Sequence, residues 1–144
     1  MKKEVVILAC SKSKIWKDKN FKEEYVQAKK AYTGKVFESG KKYAEKKGIP
    51  YYILSAAYGL IEPNKLIKNY NQKLGNKGLA LKKKDEFFDK ISQLFQKYDR
   101  VFLIGGNQFY RLVFQGFDDN KFDYIKCKNQ ADQRKKAKEL AQNG

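Results

Sequence analysis

The stretch Tyr52-Ile53-Leu54-Ser55-Ala56-Ala57-Tyr58-Gly59-Leu60-Ile61 decides the fold. Tyr52, Ile53 and Leu54 suit a pleated, half-buried surface, so they read as a strand. Ser55 puts a hydroxyl where the strand stops. Gly59 allows a backbone conformation that other residues resist. Two further apolar runs end in the same manner. Val5-Val6-Ile7-Leu8-Ala9-Cys10 runs into Ser11-Lys12-Ser13-Lys14, and Val101-Phe102-Leu103-Ile104 runs into Gly105-Gly106-Asn107-Gln108. Three strands thus release small, polar or basic residues at their carboxyl ends. In an open α/β sheet that edge is where ligands bind.

Helical patterns fill the intervals. In residues 81–98, Phe87, Phe88, Ile91, Leu94, Phe95 and Tyr98 recur on one face. Val36, Phe37, Gly40, Tyr43 and Ala44 do the same after Thr33, a capping residue type, and Gly48 ends that helix. Residues 107–115 read as a helix with Phe109, Leu112 and Val113 inward. Residues 21–31 suggest a short helix carrying Tyr25, Ala28 and Tyr32 on one face. Residues 122–127 read as a last strand and 131–140 as a basic helix. The stretch 11–20, which contains Trp16, reads as a loop, and 61–78 as irregular. Strands alternating with helices indicate a parallel sheet covered on both faces. The expected fold is therefore α/β: a single domain over 1–144, a three-layer sandwich with a mostly parallel sheet of about four or five strands. A chain of 144 residues suits one domain. At that size it buries roughly 68–70% of its unfolded surface and needs no staple.

The charge is extreme: 32 Lys and Arg against 16 Asp and Glu, a formal net of +16. Such a field attracts polyanions, so nucleic acid or a nucleotide is the first partner to consider. Lysine enrichment for solubility is the plain alternative. Histidine is absent, which excludes histidine catalysis and any His-containing metal site. The two cysteines, Cys10 and Cys127, close apolar runs as buried free thiols do. No metal and no cofactor are expected. No apolar run approaches the roughly 18 residues of a membrane span, and Met1-Lys2-Lys3-Glu4 lacks a signal-peptide pattern. The expectation is a cytoplasmic protein.

Candidate chemistry gathers at the strand ends. Ser11, Lys12, Ser13 and Lys14 offer hydroxyls and ammonium groups to a phosphate or carboxylate, although the glycines of a Walker loop are missing. Lys12 or Lys14 could instead serve as a nucleophile or base if burial lowers its pKa. An ordinary solvated loop is the plain reading. Gly105, Gly106 and Asn107 permit close approach to a ligand at the start of a helix, or simply make a tight turn. Glu62, just past Tyr58-Gly59-Leu60, is a candidate general acid or base, against the reading of a surface Glu before a proline. Tyr58, Tyr70 and Tyr110 could stack on a base, or be core residues with a wet hydroxyl. Lys14, Ser55, Tyr58, Glu62, Gly105 and Tyr110 are expected to line one cleft.

These segments resemble a family of small uncharacterised prokaryotic and phage proteins. Its pattern runs CSKxK, YTGxxF, ILSAxYGLxxP, IxxYxxxL and GGxxY. In this chain the pieces begin at Cys10, Tyr32, Ile53, Ile67 and Gly105. The resemblance covers about residues 5 to 114. The family is similar to YaaA-like peroxide-stress proteins, which are associated with DNA binding. It is distantly similar to the lysine-bearing domain of archaeosine synthase, and more loosely to α/β base-excision glycosylases. The resemblance implies a nucleobase or nucleotide site, acting at an N-glycosidic bond. The chain departs from the archaeosine synthase motif in lacking His. Asn64 and Asn69 stand where an acidic residue is often expected, and 126–140 replaces a Gly-rich segment.

Two functions follow as expectations. One is a nucleobase- or nucleotide-directed enzyme acting on nucleic acid, an N-glycosylase in type. There Lys12 or Lys14 holds phosphate or attacks as an amine, and Glu62 activates water. The other is a non-catalytic basic DNA- or RNA-binding protein of the YaaA-like type.

Overall fold

The computed structural model describes residues 3–11, 14–17, 25–69, 81–125 and 129–143. Along the chain the elements are β1 (Glu4–Ala9), β2 (Val26–Gln27), α1 (Ala28–Ala31), α2 (Lys35–Lys47), β3 (Tyr51–Ser55), β4 (Gly59–Ile61), β5 (Leu66–Ile67), α3 (Leu81–Lys97), β6 (Arg100–Ile104), α4 (Asn107–Phe114), β7 (Asp123–Tyr124) and α5 (Gln130–Asn143).

Five strands form the main sheet, in the order β4-β3-β1-β6-β7. β1 pairs in parallel with β3 on one side and with β6 on the other, and β6 with β7. Only β4 runs antiparallel, folded back on β3. β2 and β5 make a separate antiparallel ribbon.

Strand β1 is apolar on both faces because both faces are covered. Val5, Ile7 and Ala9 pack in one cluster with Phe87 and Ile91 of α3 and Phe109 of α4. Val6 and Leu8 pack in a second with Phe37 and Ala44 of α2. A Cβ at Gly40 would lie 2.6 Å from the Leu8 side chain and 3.0 Å from Ile104, so α2 sits unusually close over β1 and β6.

Several sequence expectations change. The 61–78 stretch is not wholly irregular: Gly59 takes φ 79° and turns the chain into β4, which ends at Ile61, and Leu66–Ile67 form β5 against β2. Residues 25–31 are not one helix face: Tyr25 is exposed, Tyr32 is buried, and the chain between them is β2 followed by the short α1. Thr33 is not the cap of α2; Gly34 occupies that position, and its N–H bonds Ser11. Trp16 is buried in a 3-10 turn over Ile15–Lys17 and joins the α2-side cluster. The last strand shortens to Asp123–Tyr124. Lys12, Ser13, Tyr70 and Cys127 lie outside the described residues, as does the side chain of Asn107.

Candidate functional site

The connection from β1 leads through α2 to β3 on one side. After α3 the chain re-enters the sheet as β6 on the other side of β1. The switch point therefore falls between β1 and β6. The carboxyl ends of β1 and β6 at that point are the usual ligand position of such sheets, the crevice of this fold class.

Each wall of this crevice has a local cause. Cys10 continues β1 by donating its N–H to Leu54 O at 3.0 Å. The Ser11 hydroxyl accepts the Gly34 N–H at 3.1 Å, holding the start of α2 against the end of β1. A Cβ at Gly34 would come 2.5 Å from Ser11 Cβ, so only glycine permits this approach. Lys14 forms an isolated antiparallel bridge with Tyr32. Burial pushes its ammonium pKa below the usual 10.5, and the neighbouring Cys10 thiol works in the opposite direction.

On the other wall Gly105 ends β6, and Gly106 caps α4. A Cβ at Gly105 would meet Ala9 at 2.6 Å and Phe109 at 2.5 Å. The Gln133 side-chain amide donates to the Gly105 carbonyl. That bond brings the first turn of α5 to the same place, where Asn129 Oδ1 caps it by accepting the Asp132 N–H at 2.9 Å. The far ends of α2 and α5 also meet, through Lys46 Nζ and Gln142 O at 3.4 Å. The amino ends of α2, α4 and α5 thus surround the carboxyl ends of β1 and β6. Each carries a partial positive charge suited to an anion, and those of α2 and α5 already have N–H groups bonded to Ser11 and Asn129.

The expected single cleft divides. Ser11 and Gly105 flank the carboxyl end of β1, Ser11 bonded to Gly34 and Gly105 packed on Ala9, while Lys14 bridges Tyr32 on the α2 side. Ser55 does not line the crevice: the residue is 0% exposed, and its Oγ accepts the Ala57 and Tyr58 N–H groups at 3.3 and 3.1 Å. It builds the turn. Tyr110 is 5% exposed, with its hydroxyl between the Gly105 N–H and the Leu103 carbonyl, a brace beneath the crevice floor. Glu62 leaves the edge altogether. β4 runs back along β3, with Ile61 opposite Ile53, so Glu62 follows well below the strand end.

Glu62 and Tyr58 instead share a groove of ≈ 940 Å³ along the outer strand β4. Its floor is Leu60 and Ile61. Tyr25 and Leu66 of the β2–β5 side bound one wall, Lys90 and Gln93 of α3 the other. Among the described residues no group of His, Cys, Asp and Glu is arranged to hold a metal ion. Nor is any described helix long and apolar enough to cross a membrane.

The chain belongs to DUF6884, a family of unknown function. The family model matches residues 5–142, so the crevice and the groove both lie within the matched region. No curated protein matches the chain.

Sequence reasoning missed Gly34 and Gln133 as site-building residues. Gly34 had a legible signal, a glycine directly before an amphipathic helix. Gln133 had none, because only the packing of α5 beside α2 brings it to Gly105.

Proposed function

We propose that this protein binds nucleic acid by taking a backbone phosphate into the crevice between β1 and β6. One observation carries the reading: the amino ends of three helices converge on the carboxyl ends of β1 and β6, beside Ser11, with the partly buried Lys14 three residues further along the chain. The net charge of +16 brings a polyanion to that position. The motif likeness to YaaA-like proteins and to the lysine-bearing domain of archaeosine synthase points the same way. Such a ligand places the chain in the cytoplasm. The two buried clusters on opposite faces of β1 support a three-layer sandwich as the framework.

The glycosylase reading keeps one supporting observation, the lowered pKa of Lys14. A lysine desolvated in this way holds more uncharged amine, the nucleophilic form. In that reaction the Lys14 amine attacks C1′ of the sugar. The C1′–N bond breaks, and the base leaves with the bonding pair and takes a proton. Ring opening then leaves an imine on Lys14. Glu62 has no part in this step, because it lies along β4.

Mass spectrometry of DNA and RNA incubated with the protein, with and without borohydride, tests both readings. Free base plus a reduced sugar adduct on Lys14 establishes the enzyme. Binding with every nucleoside intact leaves the binding protein. Absence of any binding overturns both.

A further inference from the structure

We infer that the groove along β4 is a second site, which takes an unpaired nucleobase of a single-stranded nucleic acid; this rests on the nucleic-acid reading above. Tyr25 and Leu66, 59% and 58% exposed, are large apolar residues left open to solvent, and both border this one groove. An exposed apolar cluster with a polar rim marks a binding surface. Tyr52 and Tyr58 add two more aromatic rings to the lining. The Tyr58 ring is held in place, since its hydroxyl accepts the Lys68 N–H at 3.0 Å.

Charge selects the part of the ligand that enters. Glu62 and Glu86 balance Lys65 and Lys90 within the groove. Phosphate gains little there, whereas a neutral base fits. Asn64 and Gln93 offer amide donors and acceptors to its edge. Lys68, whose Nζ lies 5.4 Å from the Tyr25 ring centre, stands ready for the flanking phosphate. Aromatic platforms beside lysines are how single strands are held without sequence reading.

A peptide strand added to β4 suits the groove less. Lys90 Nζ already donates to Leu60 O at 3.1 Å, covering a carbonyl that an added strand would need.

The test is fluorescence anisotropy with labelled single-stranded and hairpin-duplex DNA of equal length, on the wild type, Tyr25→Ala and Tyr25→Phe. Tyr25 is exposed, so its loss leaves folding intact. Tyr25→Ala should weaken single-strand binding by about 5- to 150-fold, the worth of one stacked base. Duplex affinity and the salt slope should stay unchanged, and Tyr25→Phe should restore the single-strand affinity. Equal losses on single strand and duplex, or no loss on either, overturn the groove site while the crevice reading stands. No binding to either DNA by the wild type overturns both.

Discussion

The Ser11 hydroxyl accepts the Gly34 N–H across 23 residues of sequence, joining the end of β1 to the start of α2. The two residues are so close that a methyl group at Gly34 would lie 2.5 Å from Ser11 Cβ. Gly34→Ala should therefore destabilise by roughly 1–3 kcal/mol, the range for overpacking. Ser11→Gly removes the obstructing atoms, so adding it to Gly34→Ala should return much of that loss. Urea midpoints of the single and double variants measure this. A Gly34→Ala protein as stable as the wild type contradicts the close approach.

Ser55 is a structural residue of the turn that follows β3. Ser55→Ala leaves the Ala57 and Tyr58 N–H groups without the acceptor they now share. The cost should be roughly 1–3 kcal/mol, as for unsatisfied buried donors. Nucleic-acid affinity of the folded variant should match the wild type. A selective loss of affinity with unchanged stability would return Ser55 to the ligand site.

Helix α3 anchors one face of the sheet through Phe87 and Ile91, both fully buried. Phe88 and Phe95 pack against the same cluster but are only partly buried. Phe87→Ala should cost roughly 3–5 kcal/mol, the range for truncating a buried Phe. Phe88→Ala should cost less. Denaturation midpoints in the reverse order would mean that the helix is rotated about its axis.

Lys14 predicts a pH dependence. Burial lowers its pKa from 10.5, so the folded protein releases this proton at lower pH than the unfolded chain. Below the folded pKa both states are protonated, and the desolvation penalty is fully present. Between the folded pKa and 10.5 the unfolded chain holds more protons, so Lys14 makes stability rise with pH. Polyanion affinity should fall over the same window. Lys14→Met should remove the part of each change that Lys14 contributes, leaving both profiles shallower than in the wild type. Urea titrations across that window check this, and parallel pH profiles for wild type and variant contradict it.

Much of the framework was legible in the sequence because its signals are local. The apolar runs at 5–10, 52–54 and 101–104 each became a sheet strand. Helix α3 followed from the apolar spacing of Phe87, Phe88, Ile91, Leu94, Phe95 and Tyr98. The reversal at Gly59 was visible as a glycine, but not its consequence. Whether the chain after a turn rejoins the sheet depends on partner hydrogen bonds, here those between β4 and β3. That one antiparallel strand moved Glu62 away from the crevice, while Tyr58, in the turn before it, turns its hydroxyl to the Lys68 N–H. Tyr110 illustrates a second limit. A tyrosine after a glycine pair reads equally as a stacking platform or a brace, and only its burial and its bonds to Gly105 and Leu103 decide. Gln133 lies in a helix whose sequence gives no hint of its neighbour.

The crevice as a phosphate site is tested most directly by the salt dependence of DNA binding in three proteins: wild type, Lys14→Ala and Lys46→Ala. Lys46 is an exposed cation near the opposite end of α2, so its loss changes the net charge equally. Plots of log affinity against log salt should be linear for the wild type, with a slope near −0.9 for each phosphate neutralised. Lys14→Ala should weaken binding and flatten the slope by about one phosphate contact, with Lys46→Ala close to the wild type. Identical slopes and affinities for Lys14→Ala and the wild type, or equal losses in the two variants, contradict a phosphate held at Lys14.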